Sequence, residues 1–165
     1  MSFLDSSKRQ VFLNKIALAI RFIIRNRTKE GKDVEGNPFK AYNLNYAKKR
    51  KRHGLPTSPP DLEFDEKSGM IHRIDHEVFN DNKSVEIFIN SPQKEQLAIY
   101  HNIMGAGKSK VIREFWGLSK AENEKLFTLI DDTMGDLAIK MTEEEVVEIL
   151  KDLEKQSTKT VFRDK

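Results

Sequence analysis

Near the start of the chain, apolar residues recur at steps of three and four. Val11, Phe12, Ile16, Ile20, Ile23 and Ile24 recur in this way, with Arg21, Arg25 and Arg27 between them. The spacing predicts a long amphipathic helix from about Ser7 to Lys29, ended by Gly31 and the turn-forming Asp33-Val34-Glu35-Gly36-Asn37-Pro38 run. A period of two appears at Ser84 to Asn90, where Val85, Ile87 and Ile89 alternate with Glu86, Phe88 and Asn90, and predicts a strand. Asn80-Asp81-Asn82-Lys83 is a turn joining it to Met70–Phe79, where Met70, Ile74 and Val78 share a face if the segment is extended. The two form an antiparallel hairpin.

Gln93 to Met104 reads as a short helix bearing Leu97, Ile99, Tyr100 and Ile103. Ser119 with Glu122 has capping-box spacing and opens a helix holding Leu126, Phe127, Leu129, Ile130 and Met134, with Gly135 as its stop. Thr142 with Glu145 repeats the pattern for a last helix with Val146, Ile149, Leu150 and Leu153. The expected fold class is α+β: a long N-terminal helix packed on a small antiparallel sheet, with C-terminal helices. Between the first helix and the hairpin, Phe39, Tyr42 and Tyr46 are spaced as anchors, Lys48-Lys49-Arg50-Lys51-Arg52 is an unbroken basic run, and Gly54, Pro56, Pro59 and Pro60 interrupt any long helix. Residues 33–60 are therefore expected to be an extended, partly mobile arm.

A chain of 165 residues suits one domain with an appended piece. With no cysteine, disulfide frameworks, thiolate zinc sites and cysteine nucleophiles are excluded. The most apolar stretch, Val11 to Ile24, is broken by Asn14, Lys15 and Arg21 and falls short of the ~20 residues that cross a bilayer. No cleavable leader pattern is seen, so a cytoplasmic site of synthesis is expected. The net charge of +3 conceals a division. Residues 1–60 carry 14 Lys and Arg against 4 Asp and Glu, whereas residues 61–165 carry 15 against 22. A basic front and an acidic rear suit an anionic partner or head-to-tail self-association.

Three patterns could carry chemistry. Gly105-Ala106-Gly107-Lys108-Ser109 resembles the end of a phosphate loop, but the first glycine of that spacing falls at Asn102 and the preceding residues read as helix rather than strand. A basic surface loop is the better reading, and a small NTPase the weaker alternative. His72 and His76 would lie about 13 Å apart on a strand, too far to share an ion. His101 has no nucleophile motif beside it. The Lys48–Arg52 run offers phosphate contacts, with a nucleic-acid-binding protein as the alternative function, yet no base-reading motif accompanies it. No catalytic, cofactor-binding or metal-ligating residue is assigned, and an enzyme is not expected.

Taken in order, three stretches carry a resemblance to a known family. Asp33-Val34-Glu35-Gly36-Asn37-Pro38-Phe39 with Tyr42 and Tyr46-Ala47-Lys48-Lys49 is similar to a D-x-x-G-x-P-F…Y…Y-A-x-x-K segment. Leu62 with Ser68-Gly69-Met70 is similar to an apolar, Ser/Thr-Gly opening of a first strand. Ala98-Ile99-Tyr100-His101 through Gly105 to Arg113-Glu114-Phe115-Trp116-Gly117-Leu118-Ser119 is similar to A-x-x-H…G…P-x-R-E-F-L-G-L-S. Together they resemble the phage virion morphogenesis family, the neck or tail-completion proteins of Mu-like and other long-tailed phages. The chain departs from the pattern at Ile112, where Pro is common, and at Trp116, where Leu is usual.

The resemblance implies a morphogenesis domain over residues 1–135, including the arm 33–60, and a helical extension over 136–165 without a counterpart. It implies a non-enzymatic virion protein that completes the tail and joins it to the head as one subunit of a homo-oligomeric ring. Its partners would be head-completion or connector proteins and the tail tube or tail terminator, with non-specific contact to DNA in the channel and no membrane. Its location would be the virion neck, reached from the host cytoplasm during assembly. Phe39, Tyr42, Tyr46, Lys48, Lys49, Arg50, Lys51, Arg52, Arg113, Phe115 and Trp116 are the expected interface residues. Phe115 and Trp116 are also expected to pack the loop after Gly107 onto the core, with Arg113 hydrogen-bonded.

Overall fold

The computed structural model describes residues 6–62, 69–79, 84–108 and 110–136. Helix α1, Ser6–Lys29, buries Phe12, Leu13, Ile16, Ala17, Ile20 and Ile24, the face that three- and four-residue spacing demands. Gly31 ends it at φ +72°. The Gly31 amide donates to Thr28 and the Lys32 amide to Arg27, closing the last turn as a left-handed residue after a helix does. A Cβ at Gly31 would overlap the Pro59 side chain, so the position needs glycine for space as well as for conformation.

The Asp33–Pro38 run is a closed turn. The Asp33 carboxylate accepts from the Glu35 and Asn37 amides at 3.0 and 2.8 Å, and Lys32 bridges to Pro38. Past it, the structure corrects the expected arm. Residues 44–52 form helix α2, Leu44–Arg52, begun by Asn43, whose side chain accepts from the Tyr46 amide at 2.9 Å. It is ended by Gly54 at φ +69°, with Gly54 donating to Lys51 and Leu55 to Arg50. Gly54 and the prolines thus delimit a helix; they do not forbid one. Phe39, Pro60 and Leu62 are buried at either side of it, so the segment is a lobe tied down at both ends.

Ile71–Arg73 is a short 3-10 turn, so Met70 reaches the core from outside the strand rather than from within an extended segment. Strands β1, Ile74–Phe79, and β2, Ser84–Ile89, pair antiparallel with Ile74 opposite Ile89 and Val78 opposite Val85. Their apolar face lies on α1. The turn 80–83 falls outside the described residues. Helix α3, Pro92–Ile99, continues as a π turn over Tyr100–Met104. Here the expected apolar face is rotated: Ala98, His101 and Asn102 are buried, whereas Tyr100, Ile103 and Met104 are exposed. Helix α4, Lys120–Asp136, starts at the expected capping box, with Ser119 N–H donating to Glu122 and the Glu122 amide to Ser119 Oγ. It is helical through Gly135 to Asp136, where the described residues end, and buries Leu126 and Ile130 against α1. The architecture is α+β, with α1 as the spine on which the hairpin and α4 pack. The predicted Thr142 helix lies outside the described residues.

Candidate functional site

The segment from Arg113 to Ser119 has no regular structure, yet hydrogen bonds involving Asn102, Arg27, Val34 and Lys40 hold it in place. The π turn directs Asn102 inward, and its side-chain oxygen accepts from the amides of Phe115 and Trp116 at 2.9 and 3.0 Å, while its own NH2 donates to the Ala98 carbonyl at 2.8 Å. A buried amide with both ends satisfied fixes the backbone around it. Phe115 is 0% exposed and stacks edge-on with Trp116, which is half-buried. Sequence reasoning missed Asn102. Its signal was a polar residue four positions after Ala98 in an otherwise helical pattern.

Arg113 links this segment to the lobe. Its guanidinium donates to the Lys40 carbonyl at 2.7 and 3.0 Å and to Ala41 at 3.3 Å, and it lies 5.4 Å from the Tyr42 ring centre. Arg50 approaches the same ring at 5.1 Å, so Tyr42 meets two cations. The Tyr42 hydroxyl bonds the backbone of Asp61, and Tyr46 packs edge-on at 5.1 Å. Val34 donates to the Glu114 carbonyl at 2.8 Å. Arg27, from α1, completes the junction by donating to the carbonyls of Phe115 and Gly117 and pairing with Glu122.

The expected interface residues therefore divide. Phe39, Arg50, Arg113 and Phe115 are buried within the chain and offer no surface to a neighbour in this conformation. Arg50 is the sharpest correction. Inside a run read as uniformly basic and outward, it is 0% exposed, donating to the Pro56 carbonyl at 2.8 Å and lying 3.5 Å from the Asp61 carboxylate. Lys48, Lys49, Lys51 and Arg52 are exposed around it, on the last turns of α2 where helix carbonyls favour cations. Tyr42, Tyr46 and Trp116 are half-buried. As expected, Arg113 is hydrogen-bonded and Phe115 and Trp116 pack the loop.

Beside the junction lies an exposed apolar surface. Ile103 and Met104 are 55% and 54% exposed, and Ile112 is 52% exposed on the returning segment. That segment is held to the π turn by the Arg113 amide, which donates to the His101 carbonyl, and to the residues after that turn by the Ala106 amide, which donates to Val111. Gly105, at φ +79°, is pressed so closely on the Lys110 backbone that any side chain would overlap it. The loop thus follows a π turn, and no described helix begins at Lys108; α4 starts only at Lys120. The strand-then-helix geometry of a phosphate loop is not formed.

His72 is exposed on the 3-10 turn, whereas His76 points at α1, with Nδ1 2.8 Å from the Arg21 guanidinium and Nε2 2.9 Å from the Asn14 oxygen. Burial and Arg21 both lower its pKa. His101 is buried with Nδ1 unpartnered among the described residues, and burial, then the Arg113 guanidinium, bring its pKa down to about 4. No three described His, Asp or Glu residues are grouped to hold a metal ion, and no described helix is long and apolar enough to cross a membrane. The chain matches no protein-family model, no curated protein and no solved structure.

Proposed function

We propose that the chain is a structural subunit of the neck of a long-tailed phage, completing the tail and joining it to the head as part of a homo-oligomeric ring. The observation that supports this reading is the convergence of its family-like stretches. Asp33–Tyr46 and Arg113–Ser119 lie more than sixty residues apart, yet they meet through Val34 and Glu114, and through Arg113 and the Lys40 and Ala41 carbonyls. Asp33, Val34, Arg113, Glu114 and Phe115, which carry the resemblance, are engaged in hydrogen bonding and packing, as a scaffold requires.

Among the described residues, surfaces open to neighbours include the exposed cations of α2 and the apolar Ile103, Met104 and Ile112. Heterologous contacts between unlike surfaces close into rings, and the basic front and acidic rear of the chain are compatible with that. Head-completion or connector proteins on one side and the tail tube or terminator on the other would be its neighbours in the virion. A second reading, non-specific nucleic-acid binding, is favoured by Lys48, Lys49, Lys51 and Arg52 alone.

Solution mass of the purified protein, followed by negative-stain imaging with isolated tails, tests the ring. Ring-shaped assemblies, or density capping the tail end, are expected. A strict monomer that never associates with tails or heads would overturn the proposal.

A further inference from the structure

Helix α1 carries a second apolar face that nothing among the described residues covers. Val11, Leu18 and Phe22 are 47%, 54% and 65% exposed, opposite the side that buries Phe12, Ile16, Ile20 and Ile24. Steps of seven and four put them in one line, about 16 Å long at ~1.5 Å per residue. Three large apolar side chains on one outward line mark a contact surface rather than scatter. The line is flanked by one sign of charge. Lys8 and Lys15 are exposed beside it, and the 24 residues of α1 hold seven Lys and Arg and no acid. Two such faces repel each other, so pairing of α1 with α1 is disfavoured and a fitting occupant brings acids.

A face of that kind stands on α4. Phe127 is 39% exposed, and Glu124 and Asp131, three residues before it and four after, are exposed on the same side of the helix. Helix α4 holds five acids against two Lys. Its stripe Glu124, Phe127, Asp131 repeats the spacing of Lys8, Val11, Lys15 with each charge reversed. In both stripes the two charges stand about 10 Å apart along the helix. Laid side by side, the stripes seat Phe127 on the Val11 and Leu18 part of the line and set Glu124 and Asp131 against Lys8 and Lys15.

The two faces do not meet within one protomer. Helix α4 enters the core through Leu126 and Ile130, in the cluster lined by the buried side of α1, and so packs on the side of α1 away from the line. A contact between the faces is therefore a contact between copies. Because the faces are unlike, each copy keeps one of them open to a further copy. Such a heterologous contact repeats head to tail and closes into a ring when its rotation allows.

We propose that the outward face of α1 in one copy takes the Glu124, Phe127, Asp131 face of α4 in the next. The inference rests on the homo-oligomeric ring proposed above and names the two faces that meet in it.

Charge reversal tests it, because Lys8, Lys15, Glu124 and Asp131 are all exposed and the fold does not depend on them. Sedimentation velocity over a concentration series compares the full chain with Lys8→Glu/Lys15→Glu and with Glu124→Lys/Asp131→Lys. Each variant alone should self-associate at least about tenfold more weakly, since like charges then face each other, and an equimolar mixture of the two should recover the parental association. The absence of native cysteine allows a second measurement. Oxidising Leu18→Cys mixed with Phe127→Cys should give a covalent heterodimer at least about tenfold faster than Leu18→Cys mixed with Glu35→Cys, an exposed position on the Asp33–Pro38 turn. Equal rates, association that neither reversal weakens, or a mixture that does not recover would overturn the inference and leave the ring standing. A chain that stays monomeric at every concentration would overturn both. If the chain pellets with phosphatidylglycerol vesicles instead of self-associating, and Lys8→Glu/Lys15→Glu does not, the face meets an anionic membrane and the inference fails.

Discussion

The guanidinium of Arg113 holds the carbonyl of Lys40 through two of its N–H groups, at 2.7 and 3.0 Å, across 73 positions of sequence. One side chain thereby fastens the lobe containing α2 to the segment that packs the core. A lysine, with a single flexible ammonium, cannot reproduce a planar fork that also lies on the Tyr42 ring. Hydrogen bonds to a charged donor contribute about 1.5 to 3 kcal/mol. Arg113→Ala is expected to cost that much and Arg113→Lys somewhat less, read as a fall of several degrees in thermal unfolding, with faster amide exchange confined to residues 40–55. Unchanged exchange in α2 would show that the lobe is held by other contacts.

Phe115 is wholly enclosed, and its replacement leaves a cavity. Phe115→Ala should cost about 3 to 5 kcal/mol, a large share of a domain's total stability. Phe115→Leu, which keeps most of the volume, should cost much less. Chemical denaturation of both separates packing from contact: if Phe115→Ala melts like the parent yet blocks joining of tails to heads, the ring acts at an interface and not in the core.

Arg50 and its neighbours in the basic run should behave oppositely. Replacing Lys48, Lys49, Lys51 and Arg52 together by Gln should leave stability within about 0.5 kcal/mol per position. Arg50→Ala should cost several-fold more than any of them, because it leaves the Pro56 carbonyl and Asp61 without their buried donor. In binding assays the quadruple variant separates two partners for the exposed cations. Contact with an acidic protein neighbour, which we favour, leaves weak binding to naked DNA intact and abolishes joining. Phosphate contact gives steeply salt-dependent DNA binding that the variant loses.

His101 makes stability depend on pH. The unfolded chain takes up a proton near the ordinary value of 6.5, which the folded chain refuses until about 4. Stability is therefore complete well above pH 6.5 and is lost as pH falls through this window, by about 2 kcal/mol between pH 7.5 and 5. The lowered pKa of His76 acts in the same direction. Urea unfolding at pH 7.5 and 5.0 should show the loss, and His101→Gln should remove most of it. An equal loss in the variant would place the titrating group elsewhere.

The elements legible in the sequence were those whose burial follows a simple period. Phe12, Ile16, Ile20 and Ile24 mark α1, Val85, Ile87 and Ile89 mark β2, and Ser119 with Glu122 marks the start of α4. What escaped depended on partners distant in sequence. Helix α2 has little apolar periodicity because its buried residue is Arg50, whose burial is made tolerable by Pro56, Asp61 and Tyr42. Its only local signals were Asn43 as a cap and Gly54 as a stop. The face of the π turn was misjudged for a related reason. Polar His101 and Asn102 turn inward because Asn102 satisfies the backbone of Phe115 and Trp116, leaving Ile103 and Met104 outside. Arg113 and Phe115 could be anticipated as packing residues, but not that the carbonyls bound by Arg113 would belong to Lys40 and Ala41.

The most direct measurement of the central claim is electron microscopy of lysates from an infection lacking this protein. We expect filled heads and full-length tails to accumulate separately, and joined, infective particles to return when the purified protein is added. Joined particles at normal yield without the protein would contradict a role in completing the neck.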